Sequence, residues 1–272
     1  MTLTAKRNNP FSLALPHAPR NFPEKLLTWF RGPLERILGV DELARLYDIL
    51  PDGLNAREFI QESFALSHIQ IEVAAGTLEN IPATGPVIVV ANHPYGGIEG
   101  MILAEILASR RSDSKILANY LLARVQELRE LFIFVDPFGS ATSLRKNIEP
   151  MRDSIEWVRD GNLLGIFPSG TVSHLHLSRR EVSDPTWSPT VARLIRKTGA
   201  TVVPVFFEGR NSWVFQALGM IHPRLRTILL PRELMNKQNR TFRVKIGQPV
   251  GPEKLASYET DDKLLGALRL RT

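Results

Sequence analysis

Val89-Val-Ala-Asn-His-Pro-Tyr-Gly-Gly-Ile-Glu-Gly100 is the stretch whose reading decides the fold. The apolar run from Pro86 to Ala91 predicts a buried strand. It ends at Asn92-His93, a glycine pair follows at Gly96-Gly97, and Glu99 stands at the head of an amphipathic segment. This layout puts an imidazole at the carboxyl edge of a sheet with a carboxylate close behind it. A histidine whose far nitrogen meets a carboxylate can act as a general base near neutral pH. The same residues also fit a buried histidine at a helix start, with Glu99 merely favourable in the first turn.

Outward from this stretch, short apolar runs alternate with helical patterns. Predicted strands are Ile69–Ala75, Val87–Ala91, Lys115–Ala118, Leu131–Val135, Leu163–Phe167, Thr201–Phe207 and Phe242–Ile246. Predicted helices are Gly100–Arg110, Leu121–Glu130, Ser143–Asp160, Ser188–Thr198 and Pro252–Leu270, with Gly161 and Gly199 as stops. Such alternation argues for an α/β sheet. Ahead of it, residues 1–21 read as a loose arm. Helical patterns follow at Pro23–Phe30, Pro33–Val40, Asp41–Leu50 (capped by Asp41) and Asn55–Ser67. The division expected is 1–68 for the arm and helical segment and 69–272 for the α/β domain.

In open α/β sheets, ligands bind beyond the carboxyl ends of strands. Three predicted strands end in polar residues there: Asn92-His93, Pro168-Ser169-Gly170-Thr171 and Glu208-Gly209-Arg210-Asn211-Ser212. Together they can line one cleft. Gly170 allows backbone to approach a ligand closely, and Arg210 can grip a carboxylate or phosphate in a fork.

The composition is that of an ordinary globular chain: 272 residues, 43% hydrophobic, 23% charged. There is no cysteine, which removes disulfides, thiolate catalysis and cysteine-ligated metals and fits a reducing compartment. The net charge of +6 favours anionic partners, among them lipid head groups or an acidic carrier protein. No nucleic-acid motif is present. No apolar run approaches the roughly 20 residues that cross a bilayer, and the first 20 residues do not read as a secretory signal. The expectation is a cytoplasmic protein resting on the inner face of a membrane. Phe22, Leu26, Leu27, Trp29 and Phe30 beside Lys25 and Arg31 suit an interface, or else pack on the sheet.

In order and spacing, these pieces resemble the lysophospholipid acyltransferase superfamily. Its first motif is Asn-His, four residues, then Asp; its third is Phe-Pro-Glu-Gly-Thr. The resemblance is closer to a branch labelled hemolysin or ornithine-lipid-type acyltransferase, which reads Asn-His-Pro-(apolar)-Gly-Gly-(apolar)-Asp-Gly. Here that block is Asn92-His93-Pro94-Tyr95-Gly96-Gly97-Ile98-Glu99-Gly100. Val135-Asp136-Pro137-Phe138, Phe167-Pro168-Ser169-Gly170-Thr171-Val172-Ser173, Asp184-Pro185-Thr186-Trp187, Gly209-Arg210-Asn211-Ser212 and the Leu225–Glu233 segment also have counterparts.

The resemblance implies a glycerol-phosphate acyltransferase-like fold: a central mixed, largely parallel sheet flanked by helices, with an N-terminal helical segment. It implies acyl transfer from acyl-carrier protein or coenzyme A thioester to a hydroxyl of a lysolipid. His93 and Glu99 would be catalytic. Asn92, Gly96, Gly97, Pro168, Ser169, Gly170, Thr171, Arg210 and Asn211 would bind substrate. Neither metal nor bound cofactor is implied. Backbone donors near Gly96 or Gly170 would hold the thioester oxyanion.

Two departures stand out. Glu99 replaces the branch's Asp and is one methylene longer, so the loop must yield for the same hydrogen bond. Ser169 and Val172 replace the superfamily's Glu and Arg, which turns the expectation from a phosphorylated glycerol toward a lysolipid or lyso-aminolipid acceptor. Rival readings are a serine hydrolase through Ser169, which lacks a Gly-x-Ser-x-Gly elbow, a metal site at His174 and His176, which lacks a third ligand, and a decayed lipid-binding protein.

Overall fold

The computed structural model describes residues 9–11, 29–136 and 145–272. Strands β1 (Gln70–Ala75), β2 (Val87–Ala91), β3 (Ser114–Asn119), β4 (Phe132–Val135) and β5 (Leu163–Ile166) lie near their predicted places. Strands β6 (His174–His176) and β7 (Glu181–Ser183) form a separate antiparallel hairpin that the pattern did not announce. Strands β8 (Thr201–Phe207) and β9 (Thr241–Ile246) complete a seven-stranded sheet of order β1-β9-β8-β2-β5-β3-β4. Neighbours in it run parallel except β8 and β9. The sheet is therefore mixed and largely parallel, as expected.

All five residues of β2 are buried because helices cover both faces. On one face, Val87, Val89 and Ala91 meet three helices: α2 (Val40–Ile49), which follows α1 (Arg31–Ile37), α3 (Ala56–Leu66) and α4 (Ile98–Arg110). Tyr47, Phe59, Ile60, Phe64, Ile102 and Leu103 fill that layer, so the N-terminal helices share one core with the sheet. On the other face, Ile88 and Val90 lie under α5 (Ile148–Arg159) and α6 (Pro189–Thr198). After α7 (Trp213–Ile221), α8 (Pro223–Ile228), α9 (Leu230–Met235) and α10 (Pro252–Ala256), helix α11 (Asp261–Arg269) closes this second layer with Leu264, Leu265 and Leu268.

Several expectations are corrected. The helix predicted over Leu121–Glu130 is two 3-10 segments, Tyr120–Arg124 and Gln126–Leu131. Its apolar residues Leu122, Val125, Leu128 and Leu131 recur every third position, the repeat of a 3-10 helix. The helix predicted over Pro252–Leu270 breaks before Thr260, whose hydroxyl accepts from Lys263 N at 3.2 Å and starts α11. Asp41 is not the cap of α2. Gly39, left-handed at φ 69°, starts that helix, and Asp41 falls in its first turn. Asn55 does cap α3, in a reciprocal box with Glu58. Helices α7 to α9 were not predicted.

Residues 9–11, inside the predicted arm, are docked: Asn9 Nδ2 donates to Ala44 O at 2.8 Å, and Phe11 packs edge-on against Tyr47. Most of that arm, most of the helix predicted over Pro23–Phe30, and residues 137–144 lie outside the described residues.

The amino ends of β2, β3 and β5 are gathered by Arg111, whose side chain is 3% exposed. It donates to Asp113, to Gly85 O at 2.8 Å and to Gly161 O at 2.6 Å. Arg111→Ala leaves these acceptors without their donor. It should lower stability by about 3 kcal/mol, read from urea melts. Because this edge lies opposite the polar strand ends, substrate KM should stay unchanged.

Candidate active site

The strand β2 ends at Ala91, and the next residue continues its ladder by a side chain. Asn92 Nδ2 donates to Phe207 O at 3.0 Å, and Phe207 N donates to Asn92 Oδ1 at 2.7 Å. Asn92 thus ties β2 to β8 rather than facing a ligand. His93 follows, with its peptide clamped on both sides. Its N–H donates to Asp184 Oδ1 at 3.0 Å, and its carbonyl accepts from Ser173 N at 2.8 Å. The imidazole stacks on Phe167, ring centroids 4.6 Å apart.

Beyond His93 the chain reverses through Gly96 at φ +104°, a conformation only glycine adopts without strain. A Cβ there would also fall 2.5 Å from Leu230 and 2.9 Å from Val172. The reversal aims the Tyr95 and Gly96 N–H groups at Glu99 Oε1, each at 2.7 Å. The same oxygen lies 2.9 Å from His93 Nδ1, close but off the N–H axis. The glutamate is fully buried. Burial alone would push its pKa up, but the adjacent His93 imidazole and the hydrogen bonds from Gly96 and Tyr95 hold it below the ordinary value of 4.5. The carboxylate is therefore ionised. The longer glutamate side chain reaches the imidazole, and its Oε2 remains buried without a partner.

The loop is braced from β8. Tyr95 Oη donates to Glu208 O, and the Tyr95 carbonyl accepts from the buried Asn211 Nδ2 at 2.9 Å. Burial and then the Glu99 charge push the Tyr95 phenol up to about 12, so it stays a donor. Gly209 admits this contact: at φ +115°, a Cβ would meet Tyr95 Oη at 1.9 Å. Ser212 N and Oγ both donate to buried Glu233, which also pairs with Lys237 at 3.2 Å.

A cleft of about 300 Å³ opens beside His93. Gly96, Gly97, Gly170 and Thr171 line it, as expected from the sequence, together with Phe167, Val172 and Arg226. Other predicted binding residues stand apart. Pro168 accepts from Ser188 N through its carbonyl, and Ser169 Oγ turns back onto Thr171 O at 2.9 Å. Asn211 supports Tyr95. Arg210 lies exposed over the Trp213 ring, 4.8 Å from its centroid, outside the cleft lining. The backbone donors expected to hold an oxyanion are spent: Gly96 N serves Glu99, and Gly170 N donates to Phe167 O at 3.0 Å. The amino end of α4, uncapped by any side chain, presents Gly97 and Gly100 to the cleft instead, with its positive pole.

Sequence reasoning assigned no role to Asp184. Besides His93 N it accepts from Ser173 Oγ and from Trp187 Nε1 at 3.1 Å. The Asp184-Pro185-Thr186-Trp187 block was the available signal. His174 and His176 each turn a ring nitrogen to a backbone carbonyl, and among the described residues no group of three metal-binding side chains occurs. A second, apolar cavity of about 120 Å³ lies between α2, α3 and α4 and shares Gly97 with the cleft.

The sequence matches the family model described as "Acyltransferase" over residues 12–264. It is similar to the lyso-glycine lipid O-acyltransferase of Phocaeicola vulgatus, 30% identical over 205 residues, 71% of this chain and 68% of that one. It is also similar to the protein of the same name from Bacteroides thetaiotaomicron, 29% identical over 230 residues, 80% and 79% of the two chains. Its fold is shared by the 1-acyl-sn-glycerophosphate acyltransferase of Thermotoga maritima, at a TM-score of 0.51 and 19% identity, covering 90% of this chain and 88% of that one. With a family match across most of its length and two similar lyso-lipid acyltransferases, the chain is an acyltransferase and belongs to the lysophospholipid acyltransferase superfamily.

Proposed function

We propose that this acyltransferase moves a fatty acyl group from an acyl-carrier-protein or coenzyme A thioester to the hydroxyl of a lysolipid with an amino-acid head group. The observation that carries the reading is the buried, ionised Glu99 against His93 Nδ1, with the same imidazole lining the cleft. Nε2, which makes no hydrogen bond among the described residues, is left for the acceptor. The acceptor class is carried over from relatives named for a lyso-glycine lipid and from the ornithine-lipid-type branch.

His93 Nε2 takes the hydroxyl proton as the acceptor oxygen bonds to the thioester carbon. Glu99 stabilises the imidazolium and keeps Nδ1 as the protonated nitrogen. The tetrahedral intermediate expels the thiolate, which recovers the proton from His93, leaving ester and thiol. No acyl-enzyme forms. The positive pole of α4 at Gly97 faces the developing oxyanion. The apolar cavity that shares Gly97 suits an alkyl chain.

A membrane surface is the natural source of such an acceptor. Exposed Trp29 and Phe30 near the amino end, the exposed Trp213 and Ile221 of α7, and the basic net charge support docking on an anionic leaflet. Among the described residues, no helix is long and apolar enough to cross a membrane.

His93→Ala should lower transfer by about a hundred- to ten-thousand-fold with the fold intact, read by mass spectrometry of the esterified product and by circular dichroism. Undiminished turnover would remove the imidazole from the mechanism. Gly96→Ala should cost activity and stability together, because the loop cannot hold both N–H groups on Glu99.

Glu99 also sets a pH dependence. Its folded pKa is depressed, so its ionised form contributes stability that is full above the ordinary value of 4.5 and is lost as pH falls through the folded value. In urea melts, the margin of wild type over Glu99→Gln should hold from neutral pH down to about 4.5 and shrink below it. A margin independent of pH would show that the charge is not what Glu99 contributes.

A further inference from the structure

The half-buried cationic group that lines the cleft is Arg226, not the Arg210 that sequence spacing suggested. The guanidinium of Arg226 is half-buried in the lining. Among the described residues it makes no side-chain hydrogen bond and no ion pair. Three other arginines show the contrast, each paired with a carboxylate: Arg111 with Asp113, Arg57 with Glu105 and Arg196 with Asp261. Loss of solvent pushes the Arg226 pKa down, with no neighbouring carboxylate offsetting it. No Asp or Glu occurs among the residues lining the cleft, and Arg224 adds a second cation at its exposed rim. A cation partly withdrawn from water without a partner is costly unless a ligand supplies the anion.

The placement is built into the fold. Pro223, Arg224, Arg226 and Thr227 form the face of α8 that lines the cleft. The stem of Arg226 lies across Gly219 of α7, where a Cβ would sit 3.2 Å from Arg226 Cδ. A glycine inside a helix is unfavourable relative to alanine, and here it gives the arginine stem room. Val172, across the same lining, contributes only methyl groups.

We propose that Arg226 is an anion subsite, gripping a carboxylate or phosphate group of a substrate whose reacting atom sits at His93. The assignment rests on the acyl-transfer reading of this cleft and specifies what the substrate must carry. A carboxylate belongs to an amino-acid-headed acceptor; a phosphate belongs to the phosphopantetheine arm of the donor. Either accepts two parallel N–H bonds from a guanidinium.

Binding tests the subsite without turnover. His93→Ala protein is titrated with N-octanoylglycine and with its methyl ester by calorimetry. The acid should bind about 10- to 100-fold more tightly, and adding Arg226→Gln should abolish the difference. Turnover then separates the sources. With an acceptor acid and its methyl ester, Arg226→Gln should raise KM for the acid alone if the group is the acceptor's carboxylate. If it is the donor's phosphate, the substitution should raise KM for acyl-coenzyme A with both acceptors and leave transfer from an S-acyl-N-acetylcysteamine unchanged. Arg226→Lys should recover part of whichever preference is lost.

Wild-type turnover with every preference unaltered by Arg226→Gln would overturn the subsite while the acyl-transfer reading stands. An acid preference in binding that Arg226→Gln removes, in a protein that transfers no acyl group, would support the subsite and sink that reading.

Discussion

One buried carboxylate oxygen organises the site. Glu99 Oε1 collects two backbone N–H groups and the imidazole, all within 2.9 Å. An ionised carboxylate removed from water is expensive, and these contacts are what offset the cost. The bond set also works in the other direction. The Tyr95 and Gly96 N–H groups sit in a tight reversal where sheet or helix partners are out of reach, so the carboxylate is what satisfies them. The interaction that orients the imidazole is therefore also the one that folds the loop, and neither role can be removed without the other.

Around this centre, polar side chains join strand ends that backbone pairing alone would leave loose. Asn92 extends the β2–β8 ladder by one rung. Asp184 holds the His93 peptide, and Asn211 and Glu208 hold Tyr95. Glu233 reaches from α9 to fix Ser212. Each of these links ends on a backbone group, and most join segments about a hundred positions apart. A general base is useful only if its position is held to a fraction of an ångström, and such second-layer bonds supply that rigidity. Several residues that motif reading assigned to substrate thus hold the site in shape.

Much of the fold was legible. The boundaries of β2 and β8 matched because both are continuous apolar runs with polar ends, the pattern of strands covered on two faces. The pairing of His93 with Glu99 was legible too, because the two lie within one turn of chain. Errors arose where periodicity was ambiguous or local chemistry intervened. Leu122, Val125 and Leu128 fall in the helix predicted over Leu121–Glu130 but follow a three-residue repeat. Thr260 restarted a helix that composition would have continued. Helices α7 to α9 are short, and α7 leaves Trp213, Met220 and Ile221 exposed, so no simple buried stripe marked them.

By itself, the sequence determined the alternation of strands and helices, the reversal at Gly96, the acid behind the histidine and the family. All of these follow from residues close together in the chain or from motif order. Tertiary structure decided which polar groups face the cleft. Asp184 meets His93 across 91 positions, Asn92 meets Phe207 across 115 and Asn211 meets Tyr95 across 116. Arg210 and Arg226 are equally basic in sequence, yet one stacks on an exposed tryptophan and the other lines the cleft. Charge is a property of a residue, whereas the direction it faces depends on which helix packs over which strand end.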